Sequence, residues 1–179
     1  MIFDFGRYGK TWGYLRFQGE GVMRVWRGER AVRQFLNEQR SFRDSVGIRI
    51  EVTEEEERQI LAYYENLLKD AKWRKHYPDR HHTRYRLAED YYGVTIQCTS
   101  MSLDGLREVW PSDRFLAIFD LRFNRGRGFD AEQREYFFRR QRELSRTEVA
   151  LPLDVLVALR AAIENGNPDV GEVRSYSRR

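Results

Sequence analysis

The chain has 179 residues, a length that suits one domain with an ordinary hydrophobic core. Hydrophobic residues make up 41% and aromatic residues 14%, so the composition excludes an intrinsically disordered chain although 34% of the residues are charged. The formal net charge is only +4, from 32 basic and 28 acidic residues, and such a small surplus does not predict binding to nucleic acid. A single cysteine excludes an internal disulfide framework and a multi-cysteine zinc site.

The sequence carries no membrane or export signal that we can identify. No segment approaches the ~18 consecutive apolar residues of a membrane-spanning helix. Residues 1–7 (MIFDFGR) lack the basic n-region and apolar h-region of a signal peptide. We therefore expect no membrane span, and a protein that is cytoplasmic in the producing cell or exported by a dedicated secretion apparatus.

The first third of the chain predicts strands around one helix. Residues 2–5 alternate briefly between apolar and polar and predict a short strand, followed by a glycine-rich loop that lacks the ending of a phosphate-binding loop. Residues 21–26 predict a second strand, and residues 29–39 a helix with one apolar face. Residues 48–52 alternate cleanly and predict a half-buried strand.

The next helix has the clearest start signal in the chain. Thr53 is placed to cap its N-terminus, and Glu56 three residues later completes a capping box. The acidic run over residues 54–57 is interpreted as compensation of the helix dipole and not as a metal cluster. The apolar face of this helix is spaced at helical intervals and comprises Ile60, Leu61, Tyr64, Leu67 and Leu68.

Residues 72–86 are predicted to be irregular and basic, and they contain all three histidines. His81 and His82 are adjacent, so their side chains diverge on a strand or a helix and do not form a paired metal site. His76 has no cysteine or regular helix near it in sequence. We therefore predict no metal ion and no cofactor, and interpret these residues as solvated loop histidines unless one of them serves catalysis.

The second half of the chain alternates strand-like and helix-like segments. Residues 92–97 are strand-like and residues 99–110 helix-like. Residues 115–121 predict a buried strand, residues 124–128 a turn, and residues 148–151 a short strand.

Two further helices have recognisable ends. Asp130 with Gln133 predicts a capped helix that reaches about residue 144. Pro152 suits the first turn of a last helix, and Gly166 suits its end.

These segments mix helices and strands without a regular βαβ repeat, which predicts an α+β fold with a small mixed sheet packed against several helices. We expect a single domain over residues 1–166, followed by a basic C-terminal tail over residues 167–179. Val170 and Val173 leave open a short edge strand within that tail.

Cys98 is the strongest candidate for chemistry. It lies where the strand-like run gives way to the helix-like run, and the positive end of the helix dipole favours a thiolate at such a position. A thiolate is the nucleophilic form of cysteine and suits covalent catalysis. The alternative is a small buried hydrophobe without reactivity.

The region around this cysteine resembles the nucleophile segment of permuted NlpC/P60 (papain-like) bacterial proteins. The likeness rests on the tyrosine-containing approach over residues 85–92 and on residues 97–100 (QCTS) with the apolar helix that follows. Residues 3–9 (FDFGRYG) and 19–26 are also similar to segments of that family. The likeness covers about residues 1–110, and it implies a papain-like fold with Cys98 as nucleophile.

The sequence departs from the family at two positions. Gln97 stands where the family has asparagine, which retains an amide. The family's catalytic histidine usually lies on a strand just before the Asp-Phe-Gly segment, and this sequence has none before Asp4. Three explanations stay open: a histidine upstream of Met1, a base supplied by His81 or His82, or a domain that keeps the fold without catalysis.

The resemblance implies a cysteine-dependent hydrolase of amide or ester bonds, namely a peptidoglycan amidase or endopeptidase or an interbacterial effector domain. Cys98 would carry the acyl-enzyme, a histidine would act as acid and base, and the Cys98 backbone N–H with Gln97 would stabilise the oxyanion. The implied partners are a cell-wall peptide or other acyl substrate and a cognate inhibitor or secretion-machine protein. The alternative is a catalytically inactive interaction, regulatory or immunity-type module on the same scaffold.

Overall fold

The computed structural model describes residues 1–120, 125–145 and 149–178. Over these residues the chain contains six α-helices and nine short strands, so the α+β prediction is confirmed at that level. The described helices include none that is both long enough and apolar enough to cross a bilayer.

The largest sheet is antiparallel and has four strands in the order β1-β4-β7-β6. The predicted strands at residues 2–5 and 21–26 are confirmed as the neighbours β1 and β4, with Phe3 opposite Val25. The strands are β1 (Ile2–Gly6), β4 (Val22–Trp26), β6 (Trp73–Tyr77) and β7 (His82–Arg86).

The irregular segment predicted over residues 72–86 is wrong, because these residues form the β6–β7 hairpin. A short 3-10 turn (Pro78–Arg80) and left-handed His81 join the two strands. The hairpin is held by pairing of β7 with β4, where Trp26 lies opposite His82. This partner is far away in sequence, so the local run of basic residues gives no sign of it.

Two smaller sheets complete the β-structure. In the first, β2 (Thr11–Trp12) pairs with β3 (Gln18–Gly19), which pairs with β8 (Tyr91–Tyr92). The strand-like reading of residues 92–97 is therefore wrong, since the strand stops at Tyr92 and a turn follows.

The second small sheet joins two distant parts of the chain. The predicted strand at residues 48–52 is confirmed as β5 (Ser45–Ile50), which pairs with β9 (Val170–Tyr176). Much of the expected basic tail is therefore an ordered strand, in agreement with the edge strand that Val170 and Val173 left open.

The predicted helix caps are present. Thr53 Oγ1 accepts from the Glu56 N–H at 3.2 Å while Glu56 accepts from the Thr53 N–H at 2.8 Å. Asp130 and Gln133 form a second capping box, and Pro152 occupies the first turn of the last helix. The helices are α1 (Glu29–Arg40), α2 (Glu54–Lys69), α3 (Cys98–Val109), α4 (Ser112–Leu116), α5 (Ala131–Glu143) and α6 (Pro152–Glu164).

The buried strand predicted over residues 115–121 is wrong. Ser112–Leu116 is the short helix α4, and the chain then turns without forming a strand up to residue 120. The burial was anticipated correctly, because Phe115 and Phe119 are both in the core. Leu121 lies outside the described residues.

Two further predictions fall partly on residues outside the description. Gly126 and Gly128 have positive φ, as the predicted turn requires, while Asn124 is outside the described residues. Residues 149–151 are buried but do not form the predicted short strand, and Glu148 is likewise outside.

The core lies on one face of the four-stranded sheet and continues under the last helices. Phe5, Met23 and Val25 on that face pack with Tyr64 of α2 and Met101 of α3. A second cluster joins α3 to the C-terminal half of the chain; it comprises Leu103, Leu106, Trp110, Phe115, Ile118, Phe119, Ala150, Val155, Ala162 and Val170. The helix that begins with Cys98 is thus fixed from both sides.

The opposite face of the same sheet is polar and aromatic. Arg24 is only 4% exposed and donates from Nε to Asp4 at 2.7 Å and from Nη1 to Glu38 of α1. His82 is 1% exposed, with its ring 4.5 Å from that of Trp26. Helix α1 covers this face, so the buried charges are paired beneath it.

Candidate functional site

Cys98 is the first residue of α3 and is exposed to solvent. Gln97 caps the helix from an extended backbone conformation: its Oε1 accepts from the Thr99 N–H at 3.4 Å. The Gln97 N–H in turn donates to Ser100 Oγ at 2.9 Å, which closes the capping box. This local arrangement places a thiol at the positive end of a twelve-residue helix, as the sequence predicted.

Gln97 itself is buried, with 3% of its surface exposed. Its Nε2 donates to the backbone carbonyl of Ala150, and its Oε1 lies 3.8 Å from Cys98 Sγ. The amide therefore links the start of α3 to the segment before α6. This holds the cysteine in place, and it uses one of the two N–H groups of the amide that the sequence offered as an oxyanion donor.

A cavity of about 390 Å³ opens beside Cys98. It lies between the end of β1, the loop that follows it, the end of α1 and the start of α3. The side chains and backbone that line it come from Asp4, Phe5, Gly6, Arg7, Tyr8, Thr11, Arg16, Arg43, Tyr91 and Cys98. The nucleophile candidate thus has open space in front of it, large enough for part of a peptide.

The charge of this cavity is positive. Arg7, Arg16 and Arg43 line it, whereas the one acidic lining residue, Asp4, is already paired with buried Arg24. Asp4 also accepts from the Tyr8 hydroxyl at 2.9 Å. The lining therefore suits a substrate with negative groups.

The two tyrosines beside Cys98 are not bases. Burial, and then the charge of Asp4, raise the pKa of Tyr8 well above its ordinary value. Burial, and then the electrostatic interaction with the neighbouring Cys98 side chain, raise the pKa of Tyr91 in the same way. Both hydroxyls keep their protons at neutral pH. The Tyr8 proton is donated to Asp4, so of the two only Tyr91 can donate a hydrogen bond to the thiol.

The structure does not bring the predicted histidines to Cys98. His81 and His82 line a second cavity, together with His76, and no histidine is among the residues that line the Cys98 cavity. His82 lies opposite Trp26, which lies opposite Ile2, whereas Gly6 at the other end of β1 lines the Cys98 cavity. Four residues of strand correspond to about 13 Å.

His82 is also committed to other contacts. Its Nδ1 lies 3.2 Å from the Arg80 carbonyl oxygen, and its Nε2 accepts from Arg84 Nε at 3.2 Å. The ring stacks between Trp26 and Tyr77. Burial lowers the pKa of His82, which favours the neutral ring. His82 is thus a packed member of the polar face.

The second cavity is the feature that sequence reasoning missed. It measures about 610 Å³ and gathers three histidines with Arg27, Arg30 and Arg74. These residues come from two separate parts of the chain, residues 25–31 and 74–85, and their proximity depends on the β4–β7–β6 pairing. The only local signal is the spacing of Arg74 and His76, which a strand places on one face.

Over residues 1–120, 125–145 and 149–178, no three His, Cys, Asp or Glu side chains gather in a way that could hold a metal ion. The chemistry available at Cys98 is therefore that of a thiol, backbone N–H groups at a helix start and a basic cavity wall. No protein-family model, no curated protein and no solved structure matches this chain.

Proposed function

We propose that the chain is a cysteine-dependent hydrolase of amide or ester bonds that forms an acyl-enzyme on Cys98. The observation that carries the proposal is the position of this thiol: exposed, at the first residue of α3, and facing a cavity of about 390 Å³. A buried structural cysteine would have neither property.

In the proposed reaction, Cys98 Sγ attacks the substrate carbonyl and forms a carbon–sulfur bond. The carbonyl oxygen becomes an oxyanion and accepts from the Cys98 backbone N–H, which has no partner within the helix because it belongs to the first turn. The oxyanion would replace the Tyr91 hydroxyl as the acceptor of this N–H. The carbon–nitrogen or carbon–oxygen bond then breaks, and the leaving group takes a proton. Water attacks the thioester, releases the acid and restores the thiol.

The proton carrier in this reaction is a histidine by resemblance to NlpC/P60 proteins, where it usually lies on a strand just before the segment that corresponds to Asp4-Phe5-Gly6. Within residues 1–120, 125–145 and 149–178, β1 pairs with β4 alone and so lies at an edge of the sheet, and Phe5 and Gly6 line the cavity. A strand that pairs with the free edge of β1 would carry a side chain to Cys98. The resemblance thus places the base beside β1, whereas His81 and His82 line the other cavity.

A papain-like scaffold is part of the same proposal. In support, α3 packs against the four-stranded antiparallel sheet through Met101, with the cysteine at its N-terminus. The substrate class that we propose is a cell-wall peptide, for a peptidoglycan amidase or an effector domain. The three arginines at the cavity suit the carboxylates of such a peptide.

A second function, a catalytically inactive interaction or regulatory module, is favoured by one observation. The described lining of the Cys98 cavity contains no imidazole. On this alternative the thiol is an exposed surface group, and the basic cavity is a docking site for an acidic segment of a partner.

The decisive experiment measures release of new amines from purified peptidoglycan fragments by the wild type, Cys98→Ala and the control Ser41→Ala, which removes an exposed hydroxyl at the end of α1. The hydrolase predicts amine release that Cys98→Ala abolishes and Ser41→Ala preserves. The assay is run on this chain and on any longer native form that carries it. Equal activity of Cys98→Ala and wild type in both would rule out the nucleophile.

Alkylation separates the two functions further, because the chain has one cysteine and every adduct reports on Cys98. An activated thiol reacts with iodoacetamide at pH 7 faster in the folded chain than in urea. In an inactive module, Cys98 reacts no faster in the folded chain than in urea.

A further inference from the structure

The cavity that holds the histidines lies on the part of the sheet formed by β4, β7 and β6, beside the start of α1. The wall contains Val25 and Tyr85 from the sheet, and Arg30 and Ala31 from α1. The other lining residues are Arg27, Arg74, His76, Pro78, His81, His82 and Thr83. It is separate from the Cys98 cavity, with which it shares no lining residue.

No carboxylate is among the described residues that line this cavity, whereas three guanidinium groups are. Arg27 contacts Glu65 of α2 at 3.3 Å, but the side chains are 55% and 49% exposed. Such a solvent-exposed pair contributes little free energy, so Arg27 can turn to another anion at small cost. The cavity therefore carries an excess of positive charge.

Neutral hydrogen-bond donors reinforce these charges. The N-cap of α1 is Gly28, which has no side chain to accept from the first N–H groups of the helix, and Arg30 and Ala31 of that turn line the cavity. The space around Gly28 is open, since nothing lies within 4 Å of a Cβ built there. The positive end of the twelve-residue helix α1 thus meets the guanidinium groups at an accessible rim. The carboxylate of Glu29 in this first turn does not line the cavity; it is exposed and lies 3.5 Å from Arg33.

The size of the cavity argues against a single small anion. About 610 Å³ accommodates a ligand of several groups. Guanidinium forks bind phosphate oxygens in pairs, and Arg27, Arg30 and Arg74 lie on different elements, so each can contact a different group. The apolar part of the wall, with Val25, Pro78 and the ring of Tyr85, can also contact an organic moiety.

The geometry points to a binding site for a chain of two or more phosphates, either free polyphosphate or the phosphates of a nucleoside di- or triphosphate. Three guanidinium groups from different elements, the uncapped start of α1 and the absence of a lining carboxylate together carry this assignment. It does not depend on Cys98, and it stands if the proposed hydrolase fails.

The test is isothermal titration calorimetry of the full chain with tripolyphosphate, ATP and citrate as separate probes. The test variant is Arg30→Gln/Arg74→Gln. The matched control, Arg142→Gln/Arg160→Gln, removes the same charge from exposed positions on α5 and α6. Circular dichroism on both variants establishes that they are folded, which is expected because all four side chains are exposed.

We expect saturable binding of tripolyphosphate or ATP with a dissociation constant of about 100 µM or tighter. The test variant should weaken it at least about tenfold, and the control by less than about twofold. Tighter binding of ATP than of tripolyphosphate identifies a nucleoside contact with the apolar wall, and equal binding identifies free polyphosphate. The assignment is overturned if neither tripolyphosphate nor ATP binds, if only citrate binds, or if test and control variants lose affinity equally.

Discussion

On one face of the four-stranded sheet, alternate residues of β1 and β4 bury apolar side chains against α2 and α3. On the other face, the residues between them bury charges beneath α1. Phe5 and Met23 represent the first face, and Asp4 and Arg24 the second. Apolar burial is non-directional and tolerates repacking, whereas a buried charge is stable only while its partners remain. The two faces should therefore respond to substitution in different ways.

The largest effect is expected for Arg24→Ala on the polar face. The substitution leaves Asp4 and Glu38 without the cation between them, and we expect a loss of about 4 kcal/mol in the free energy of unfolding. Urea denaturation measures it. The control removes all three charges, as Arg24→Met/Asp4→Asn/Glu38→Gln, and should recover most of the loss. If the single and triple variants had the same free energy of unfolding, unpaired charges would not be the cause of the loss in Arg24→Ala.

Met23→Ala tests the apolar face one residue earlier on β4. Met23 is 1% exposed, and its truncation leaves a cavity between the sheet and Tyr64, at a cost of about 3 kcal/mol. Met23→Leu keeps the volume and should cost less than about 1.5 kcal/mol. The same urea assay measures both variants. The apolar face should tolerate this change of shape at constant volume, whereas the charged face should not tolerate the loss of one charge.

Gly105→Ala probes how α3 is seated behind the apolar face. A Cβ at this position would lie 2.8 Å from the Tyr64 hydroxyl oxygen and 2.9 Å from its ring. We expect a loss of about 2 kcal/mol from this overpacking. Tyr64→Leu alone is also destabilising, but in the double variant the two losses should be less than additive because the clash is removed. Strict additivity would show that the two residues do not touch.

The smallest expected effect is a dependence of the free energy of unfolding on pH, caused by His82 on the polar face. Burial lowers the pKa of His82, so the unfolded chain binds this proton at a higher pH than the folded chain. Stability should be unaffected above the ordinary value of 6.5 and should fall as the pH drops below it, towards the lowered pKa of the folded state. Urea midpoints between pH 7.5 and pH 5 measure this fall.

His82→Gln should flatten that pH dependence, and the exposed His76→Gln on the neighbouring strand should leave it unchanged. A variant that merely destabilises the protein would shift all midpoints equally. The same slope in the wild type and in His82→Gln would mean that another group sets the dependence.

Local signals in the sequence were sufficient for the helix starts and for the position of the thiol. Capping at Thr53 and at Asp130 depends on hydrogen bonds within four residues, so the sequence contains all the participants. Cys98 was placed at a helix start for the same reason, and its exposure agrees with a role in chemistry.

Other errors arose where the deciding partner is distant or the pattern is ambiguous. A short apolar run such as residues 115–119 does not distinguish a strand from a buried helix, and here it belongs to α4 and the turn after it. Strands β6 and β7 are rich in charged residues, so their alternation does not appear as a hydrophobic pattern. Because the sequence did not predict this hairpin, it could not predict that His82 lies away from Cys98. For the same reason it could not predict that Arg74 and Arg30 line one cavity.

The hydrogen bond from Gln97 to the Ala150 carbonyl has a practical consequence for dissecting the protein. The resemblance proposed from the sequence ends near residue 110, yet Leu103 and Leu106 of the helix that bears the thiol share a core cluster with Phe119, Val155 and Val170. A truncated version that stops near residue 110 would expose Leu103 and Leu106 and leave the buried Gln97 amide without its Ala150 partner. We therefore expect a fragment that ends where the resemblance ends to misfold, so its inactivity would say nothing about the activity of the full chain.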